Sequence, residues 1–308
     1  MSLDGLPEWL PAWCLDQLGV APVDVLFQAQ QVSMVFGLRL ADGRDVVVKA
    51  RADDGRAVSC VEAQARLAER GFPGARPLTP VANVGSLAVH AEEFRPGGEA
   101  LHGDSPDVAE RCAKVFALLM AELASVTVAP PLPNPPWVRW DHTDAGLWPA
   151  MDFLDNHDQS GVPGHVVEAA ERARKRLLAA SLPRVLGHAD FEAQNLRWHG
   201  REVWAVHDWD SLAWQPEAAL VGAASGAFAR DGPPALAPLE SSEAFLTAYQ
   251  EVRGRLFTAE ELEVAWAASV WMAAYNAMEM ALLGGAPLSA DALRTQAAER
   301  LRRANASA

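Results

Sequence analysis

An aspartate followed five residues later by an asparagine, with a second aspartate further along the chain, is the feature that best predicts chemistry. Asp190 and Asn195 share one loop-like segment, and Asp208 follows a predicted pair of strands. Phosphoryl transfer needs a carboxylate that orients the attacking hydroxyl, oxygen ligands for Mg²⁺ and a cation on the phosphates. These three residues supply the first two requirements.

A β-hairpin is predicted between the asparagine and the second aspartate. A turn at Gly200 separates short apolar strands at 196–198 and 202–207. Residues at the open end of an antiparallel hairpin lie opposite each other. We therefore expect Asn195 and Asp208 to lie close enough to bind one Mg²⁺.

The segment from His188 to Asn195, taken together with Asp208, resembles the catalytic signature of the aminoglycoside phosphotransferase and choline kinase family. The resemblance extends over about residues 23–225. It implies a protein-kinase-like fold, with Asp190 as the catalytic residue and Asn195 and Asp208 as ligands of Mg²⁺. It also implies ATP as the phosphate donor, with GTP not excluded.

The same resemblance implies a nucleotide site in the first part of the chain. Lys49 ends an apolar run and resembles the family's phosphate-binding lysine. Glu62, on a helix predicted over 57–70, resembles its ion-pair partner. The hydroxyl of Ser33 and nearby backbone N–H groups are expected to hold phosphate oxygens.

A connector before a Pro-Gly-Gly link resembles the adenine-binding segment of the family. There, main-chain groups of Glu93 and Phe94 are expected to bind the base. Asp210 is similar to an aspartate that recurs in small-molecule kinases. Three roles stay open for it: support of Mg²⁺, contact with a substrate hydroxyl, or capping of the next turn.

Acidic side chains are candidates for binding a cationic acceptor, because the resemblance implies that the helical part of the chain builds the acceptor pocket. The candidates are Asp155, Asp158, Glu217 and Glu279. Such a pocket would suit a polyamine sugar or an amino alcohol. The identity of the acceptor, and which of its hydroxyls is phosphorylated, stay open.

These residues require elements that position them, and the pattern of the chain predicts two regions. Residues 1–95 contain short strands rich in Val, Leu and Phe, with a hairpin signal at Asp42-Gly43, and they form the predicted nucleotide-binding lobe. Residues 96–308 are mostly helical and form the predicted catalytic and substrate-binding lobe. The fold class predicted is α+β, with two lobes.

Composition excludes several classes of protein. There are 26 Lys and Arg against 40 Asp and Glu, so the formal charge of −14 argues against a nucleic-acid partner. The chain has three cysteines, and no two of them are spaced like a metal-binding pair. This argues against a disulfide framework or a zinc site. The start of the chain lacks the pattern of a signal peptide, and no stretch is long enough for a membrane span. We expect a cytoplasmic protein, either monomer or homodimer.

The function predicted is an ATP- and Mg²⁺-dependent kinase that phosphorylates a hydroxyl of a small polar molecule, such as an aminoglycoside or amino sugar. One alternative is a nucleotide-binding module of kinase fold without turnover. Another is a kinase of a different metabolite such as choline. A protein kinase is disfavoured, because the chain lacks Asp-Phe-Gly and Ala-Pro-Glu segments. The sequence leaves open whether the enzyme confers antibiotic resistance or serves metabolism.

Overall fold

The computed structural model describes residues 3, 5–30, 33–129, 134–229 and 234–307. The chain divides into two compact units. The first consists of Met1–Gly98, Thr127–Pro133 and Trp204–Asp210, and the second contains the remaining segments. The predicted first lobe is one continuous segment, whereas this unit also includes two short segments from later in the chain.

The first unit is built on a five-stranded sheet whose neighbouring strands are all antiparallel. The strand order is β1-β2-β3-β5-β4. The elements in chain order are α1 (Trp9–Leu18), β1 (Pro22–Gln30), β2 (Met34–Leu40), β3 (Asp45–Ala52), α2 (Ala57–Glu69), β4 (Ala82–Val84) and β5 (Leu87–Glu93).

The turn between β2 and β3 lies at the predicted Asp42-Gly43 dipeptide. Gly43 has a φ of 88°, a conformation that glycine adopts without the steric cost that a side chain imposes. The Asp42 carboxylate accepts a hydrogen bond from the backbone N–H of Arg44. These local interactions explain why the sequence predicts the hairpin.

The second unit is mainly helical, with short strands between the helices. Its elements begin with α3 (Pro106–Leu123), α4 (Asp152–Asp155), α5 (Gly164–Leu178), β6 (Arg184–His188) and β7 (Leu196–His199). They continue with β8 (Glu202–Val206), whose last three residues belong to the first unit. After β8 come β9 (Leu212–Pro216), α6 (Glu217–Gly226), β10 (Ala227–Ala229), β11 (Pro234–Leu236), α7 (Leu239–Arg253), α8 (Ala259–Leu283) and α9 (Leu288–Arg303).

Helix starts in this unit follow local capping chemistry. The Ser105 hydroxyl accepts from the backbone N–H of Val108 at the start of α3, and Pro106 occupies the first turn. Thr258 and Glu261 form a reciprocal capping box at the start of α8. The predicted helices at 105–125, 164–180, 241–253, 258–283 and 289–305 correspond to α3, α5, α7, α8 and α9.

Helix α8 is the core of the second unit. Nearly every residue from Val264 to Met278 is buried. Helix α6 packs so closely on it that a Cβ on Gly222 would overlap the backbone of Ala265. Glycine is required at this position because of that close approach, not because of its backbone angles.

The predicted α+β fold class is confirmed, with a β-rich N-terminal region followed by a mostly helical one. The hairpin predicted before residue 207 is present as β7 and β8, which form a two-stranded sheet around Gly200. No helix among the described residues is long and apolar enough to cross a membrane.

None of the three cysteines is part of a disulfide, and all three are buried. Burial raises the pKa of Cys14 to about 11 and that of Cys112 to about 12. Because the thiolate is the reactive form, these two side chains are unreactive at neutral pH.

Candidate active site

Strand β3 carries the predicted phosphate lysine on the face of the sheet opposite α1. Val46, Val48 and Ala50 belong to the apolar cluster that contains Leu10 and Trp13 of α1. Successive side chains of a strand point to opposite faces. Lys49 therefore points away from that cluster, and the face it occupies is the one on which the charged groups assemble.

Lys49 forms an ion pair with a buried glutamate of the neighbouring strand. Its Nζ lies 3.1 Å from Oε1 of Glu92, and the two side chains are 13% and 5% exposed. Burial alone would lower the pKa of Lys49, but the negative charges of Glu92, Asp210 and Asp208 outweigh it and raise that pKa. Lys49 is thus a cation at neutral pH, as contact with phosphate requires.

The partner of Lys49 corrects one sequence-based prediction. Glu62 was expected to pair with Lys49, but its side chain is exposed on α2. The helix instead directs Gln64 inward, where its Nε2 donates to Oε2 of Glu92 at 2.8 Å and to the Ala75 carbonyl oxygen at 2.7 Å. The prediction was wrong because residues two apart on a helix do not share a face.

Sequence reasoning also missed the role of Glu92. Burial alone would raise the pKa of Glu92. The cation Lys49 and the amide of Gln64 outweigh burial, so the pKa of Glu92 lies below its usual value. A signal was present, because a carboxylate inside a predicted apolar strand is rarely buried without a cationic partner.

Asp210 lies in the first unit and is the centre of a second charged group there. Its Oδ2 is 3.0 Å from Nη1 of Arg51 and accepts a hydrogen bond of 3.0 Å from the hydroxyl of Ser33. The guanidinium of Arg56 donates to its backbone carbonyl at 3.0 Å. Burial raises the pKa of Asp210, but a side-chain hydrogen bond with Asp208 and the positive charges of Lys49 and Arg51 outweigh burial and hold that pKa well below the usual range.

These contacts narrow the predictions for Ser33 and Asp210. Ser33 has one hydroxyl proton and directs it at Asp210, so in this arrangement the hydroxyl does not donate to a phosphate. Gln31 and Val32, which precede Ser33 and belong to the backbone expected to hold phosphate oxygens, lie outside the described residues. Of the three roles open for Asp210, the ion pair with Arg51 disfavours direct contact with a substrate hydroxyl and leaves support of Mg²⁺ and capping of the next turn open.

Asp208 has a backbone conformation that is uncommon for a residue with a side chain. Its φ is 63°, in the left-handed region that aspartate tolerates better than most residues. Such conformations occur preferentially at functional sites, where surrounding structure maintains them. Asp208 and Asp210 both act electrostatically on Lys49, so the two carboxylates lie near the same cation.

This acidic pair fits a hard cation. Oδ1 of Asp210 is buried and has no hydrogen-bond partner among the described residues. A buried carboxylate oxygen without a donor is costly unless a cation neutralises it. Within the described ranges, no group of three or more His, Cys, Asp or Glu side chains forms a metal cluster. Mg²⁺ commonly binds one or two carboxylates and completes its shell with waters and phosphates, which suits this set.

The second unit builds the loop that carries Asp190. Strand β6 pairs antiparallel with β9, with His188 opposite Leu212, and the Ala189 N–H donates to the Ser211 carbonyl oxygen at 2.9 Å. The backbone N–H of Asp190 donates to Nδ1 of the buried His188 at 3.2 Å. His188 therefore fixes the backbone of the loop, which agrees with a packing role.

Asn195 holds the carboxylate of Asp190. Its Nδ2 donates to the backbone carbonyl of Asp190 at 2.8 Å and to Oδ2 of the same residue at 3.0 Å. Because the amide nitrogen is used here, the amide oxygen is the Asn195 atom suited to a metal. Asn195 and Asp208 belong to different units, so their shared metal site stays a prediction.

The predicted adenine segment follows β5. The Glu93 backbone N–H donates to the Arg76 carbonyl oxygen at 2.9 Å, and its carboxylate pairs with the Arg76 guanidinium. That N–H is therefore not the donor to a base, which corrects the prediction for Glu93 in part. The Phe94 ring packs on Phe27 with centroids 5.8 Å apart.

Glu217 does not fit the predicted contact with a cationic acceptor. Its Oε1 accepts from the Tyr249 hydroxyl at 2.5 Å and lies 3.2 Å from Nε of Arg253, and its Oε2 is 3.0 Å from Arg255. Two guanidinium groups already neutralise this carboxylate. The prediction is corrected accordingly: Glu217 ties α6 to the end of α7.

The other three acceptor candidates have different surroundings. Asp158 is exposed and caps a short 3₁₀ turn through the backbone N–H and hydroxyl of Ser160, so its carboxylate has a local structural role. Asp155 is also exposed, and its Oδ2 accepts from the backbone N–H of Met151 at 2.9 Å. Burial raises the pKa of Tyr275, and the negative charges of Glu279 and Asp155 act on its hydroxyl in the same direction. Only these two of the four candidates are therefore brought to one place.

Aromatic side chains stand beside that pair. Trp148 packs edge-on against Tyr275, with centroids 6.3 Å apart, and lies 5.5 Å from the Trp271 ring. Burial raises the pKa of Glu279, and among the described residues no hydrogen bond or ion pair joins its carboxylate. We call Trp148, Asp155, Tyr275 and Glu279 the acidic aromatic cluster.

Comparisons with known proteins concern the family and the fold of the chain. The model of the phosphotransferase enzyme family (APH) matches residues 35–255. No curated protein gives a significant match to the chain.

Solved structures with the same fold include three small-molecule kinases. The amicoumacin kinase hAmiN in complex with AMP-PNP, Ca²⁺ and Ami is 12% identical, with a TM-score of 0.63 over 91% of this chain and 88% of that one. A microcompartment-associated aminopropanol kinase is 14% identical, with a TM-score of 0.60 over 92% and 90%. A thermostable mutant of aminoglycoside phosphotransferase APH(4)-Ia, in ternary complex with ADP and hygromycin B, is 13% identical, with a TM-score of 0.53 over 96% and 98%. The protein-kinase-like fold predicted from the sequence is confirmed.

Proposed function

Because this chain belongs to the phosphotransferase enzyme family, and is thus a small-molecule kinase that uses ATP to phosphorylate a hydroxyl group, we propose that its acceptor carries a protonated amine. An aminoglycoside or an amino sugar has this chemistry. The observation that supports the proposal is the acidic aromatic cluster, where the carboxylate of the half-buried Glu279 has no hydrogen bond or ion pair among the described residues.

A protonated amine is the group that this cluster would bind best. A cation restores to Glu279 the stabilisation that burial removes, and Asp155 adds a second negative charge nearby. The faces of Trp148 and Tyr275 attract cations through their ring quadrupoles. A neutral sugar would leave the carboxylate of Glu279 uncompensated, so the cluster discriminates by charge.

The proposal assigns the reaction to charged and polar side chains of both units. Lys49 contacts the α- and β-phosphates, and Asp190 accepts a hydrogen bond from the acceptor hydroxyl and orients its oxygen. Asp208 and the amide oxygen of Asn195 would hold Mg²⁺, with Asp210 beside them. When bound, Mg²⁺ neutralises charge on the phosphates. We place this reaction in the cytoplasm, as the sequence led us to expect.

The first experiment is an ATP-turnover screen with aminoglycosides, amino sugars, choline and other amino alcohols, neutral sugars and short peptides. Turnover with primary-amine acceptors and not with their neutral analogues supports the proposal. Turnover with choline alone selects the metabolite-kinase alternative, and turnover with peptides alone selects a protein kinase. Nucleotide binding without turnover of any acceptor selects the non-catalytic alternative.

The second experiment tests the cluster with the acceptor that the screen identifies. Glu279→Gln should lower kcat/KM for that acceptor roughly 10- to 100-fold, the effect of losing one charged hydrogen bond. Glu260→Gln is a matched control, because Glu260 is exposed in the first turn of the same helix. Equal kinetics for both variants would refute the role of Glu279.

A further inference from the structure

The phosphate lysine of this enzyme has its carboxylate partner on a strand. We infer that Glu92 of β5 is the residue that positions Lys49 for the nucleotide, and that α2 supports it with Gln64 and supplies no acid of its own. The inference rests on the proposed role of Lys49 and adds a residue to that site.

The register of the sheet explains how the two side chains meet. Lys49 is opposite His90, and Val47 is opposite Glu92, in the antiparallel pair of β3 and β5. Directly opposed residues share a face, so Lys49 and Glu92 are diagonal neighbours on the same surface, within reach of long side chains. The ion pair is therefore set by backbone hydrogen bonds between adjacent strands.

Helix α2 has no buried acid that could pair with Lys49, since its two glutamates, Glu62 and Glu69, are both exposed. One oxygen of Glu92 lies 3.1 Å from Lys49 Nζ, and the other accepts from Gln64 at 2.8 Å. Gln64 is anchored in turn on the Ala75 carbonyl oxygen. Glu62, the acid of this helix nearest in sequence, is exposed.

This arrangement has a consequence for control of the enzyme. In protein kinases the corresponding pair joins a strand to a helix, so movement of the helix breaks it. Here a displacement of α2 would remove the hydrogen bond of Gln64 and leave the ion pair intact. The lysine is thus positioned whenever the sheet is folded.

The test uses AMP-PNP binding and ATP kinetics on the whole protein with four variants. Glu92→Gln should weaken AMP-PNP binding and lower kcat/KM for ATP at least 10-fold, with the KM of the acceptor unchanged. Glu62→Gln, the matched control on α2, should behave like the parent. The charge exchange Glu92→Gln with Gln64→Glu returns one buried carboxylate to the site, but this carboxylate faces the Ala75 carbonyl oxygen to which Gln64 donates, so it should regain only part of the loss.

Folding is followed in the same samples by thermal melting. If Glu92→Gln does not fold, Glu92→Asp keeps the charge, draws the carboxylate back toward β5, and should also lower kcat/KM for ATP. ATP kinetics like those of the parent in a folded Glu92 variant, or a loss in Glu62→Gln, would overturn the inference.

A failure of the proposed function can be distinguished from a failure of the inference about Glu92. If no amine acceptor is phosphorylated, AMP-PNP binding still reports on Lys49, and the effect of Glu92→Gln on it decides the inference. If the parent does not bind AMP-PNP, the role of Lys49 fails and the inference is overturned with it.

Discussion

At the scale of single residues, Asp190 is the group whose chemistry can be isolated most cleanly. Asp190→Asn keeps its shape and removes the charge that accepts the hydroxyl hydrogen bond. We expect kcat to fall roughly 10²–10⁴-fold, the range for a positioned acid–base group. AMP-PNP affinity should be unchanged, because Asp190 acts on the acceptor. Single-turnover phosphorylation and AMP-PNP binding of one sample measure both effects.

Asp291→Asn is the control for this variant, because Asp291 is an exposed aspartate of α9. Its turnover should equal that of the parent. Parental kcat in Asp190→Asn with a verified acceptor would contradict the catalytic assignment.

Asp208 can be tested without disturbing the backbone. Asparagine tolerates the left-handed φ of 63° as aspartate does, whereas alanine would add strain. Asp208→Asn should therefore fold normally and lose nearly all turnover together with the Mg²⁺ dependence of AMP-PNP binding. A Mg²⁺ titration of AMP-PNP binding checks this, and a curve like that of the parent would exclude Asp208 as a ligand.

His90 predicts how stability depends on pH. Burial lowers its pKa to about 4 from an ordinary value of 6.5, and Lys49 and Arg51 act in the same direction against Glu92 and Asp210. Between these values the unfolded chain binds the proton and the folded protein does not. The contribution of His90 to the free energy of unfolding is therefore complete above pH 6.5. It is lost as the pH falls toward 4, by up to about 3 kcal/mol.

The measurement is urea unfolding from pH 7 to pH 4 for the parent, His90→Gln and the control His157→Gln, which replaces an exposed histidine. His90→Gln should show a shallower loss of stability over this range. Parallel curves for all three proteins would mean that folding does not lower the pKa of His90.

At the scale of elements, the contact between α6 and α8 allows a sharp test. Gly222→Ala places a Cβ against the backbone of Ala265, which a helix cannot move aside locally. We expect a loss of about 1–3 kcal/mol in the free energy of unfolding, typical of overpacking. Gly164→Ala is the control, because a Cβ there meets open space at the start of α5.

Urea midpoints of the two glycine variants check this prediction. The control should equal or exceed the parent in stability, since alanine favours helix and restricts the unfolded chain. If Gly222→Ala is as stable as the control, the two helices are less closely packed than described.

The elements that the sequence predicted are those with periodic patterns and local signals. Helix α3 has a capping serine and α8 a capping box, and the β2–β3 turn has its glycine. Helices α1 and α6 were not located. The first contains Pro11 in its first turn, and the second is buried all round and shows no polar face.

In the candidate site, too, the sequence predicted the residues that are linked by local contacts and missed a partner that is distant in the chain. The loop of Asp190 and Asn195 is local, so spacing predicted both residues and the structure joins them by two hydrogen bonds. The partner of Lys49 depends on the register between β3 and β5, which are distant in the chain. Spacing along a helix could not reveal a contact that a sheet determines.

At the scale of the whole molecule, a formal charge of −14 predicts how salt affects the reaction. An acidic protein attracts a cationic acceptor, and added salt screens that attraction. We expect kcat/KM for an amine acceptor to fall as KCl is raised from 0.02 to about 0.5 M, a range over which the Debye length shortens severalfold. The KM for ATP, an anion, should not rise in parallel. An acceptor kcat/KM that is independent of salt would argue against a cationic acceptor.

The burial of all three cysteines makes the natural protein a ready background for spectroscopic labels. A cysteine introduced at Leu15 in the first unit and another at Leu256 in the second would be the accessible thiols, since both positions are exposed. A donor and an acceptor dye attached there would report by energy transfer whether the distance between the two labels changes when AMP-PNP and an acceptor bind. No native residue would have to be removed for that measurement.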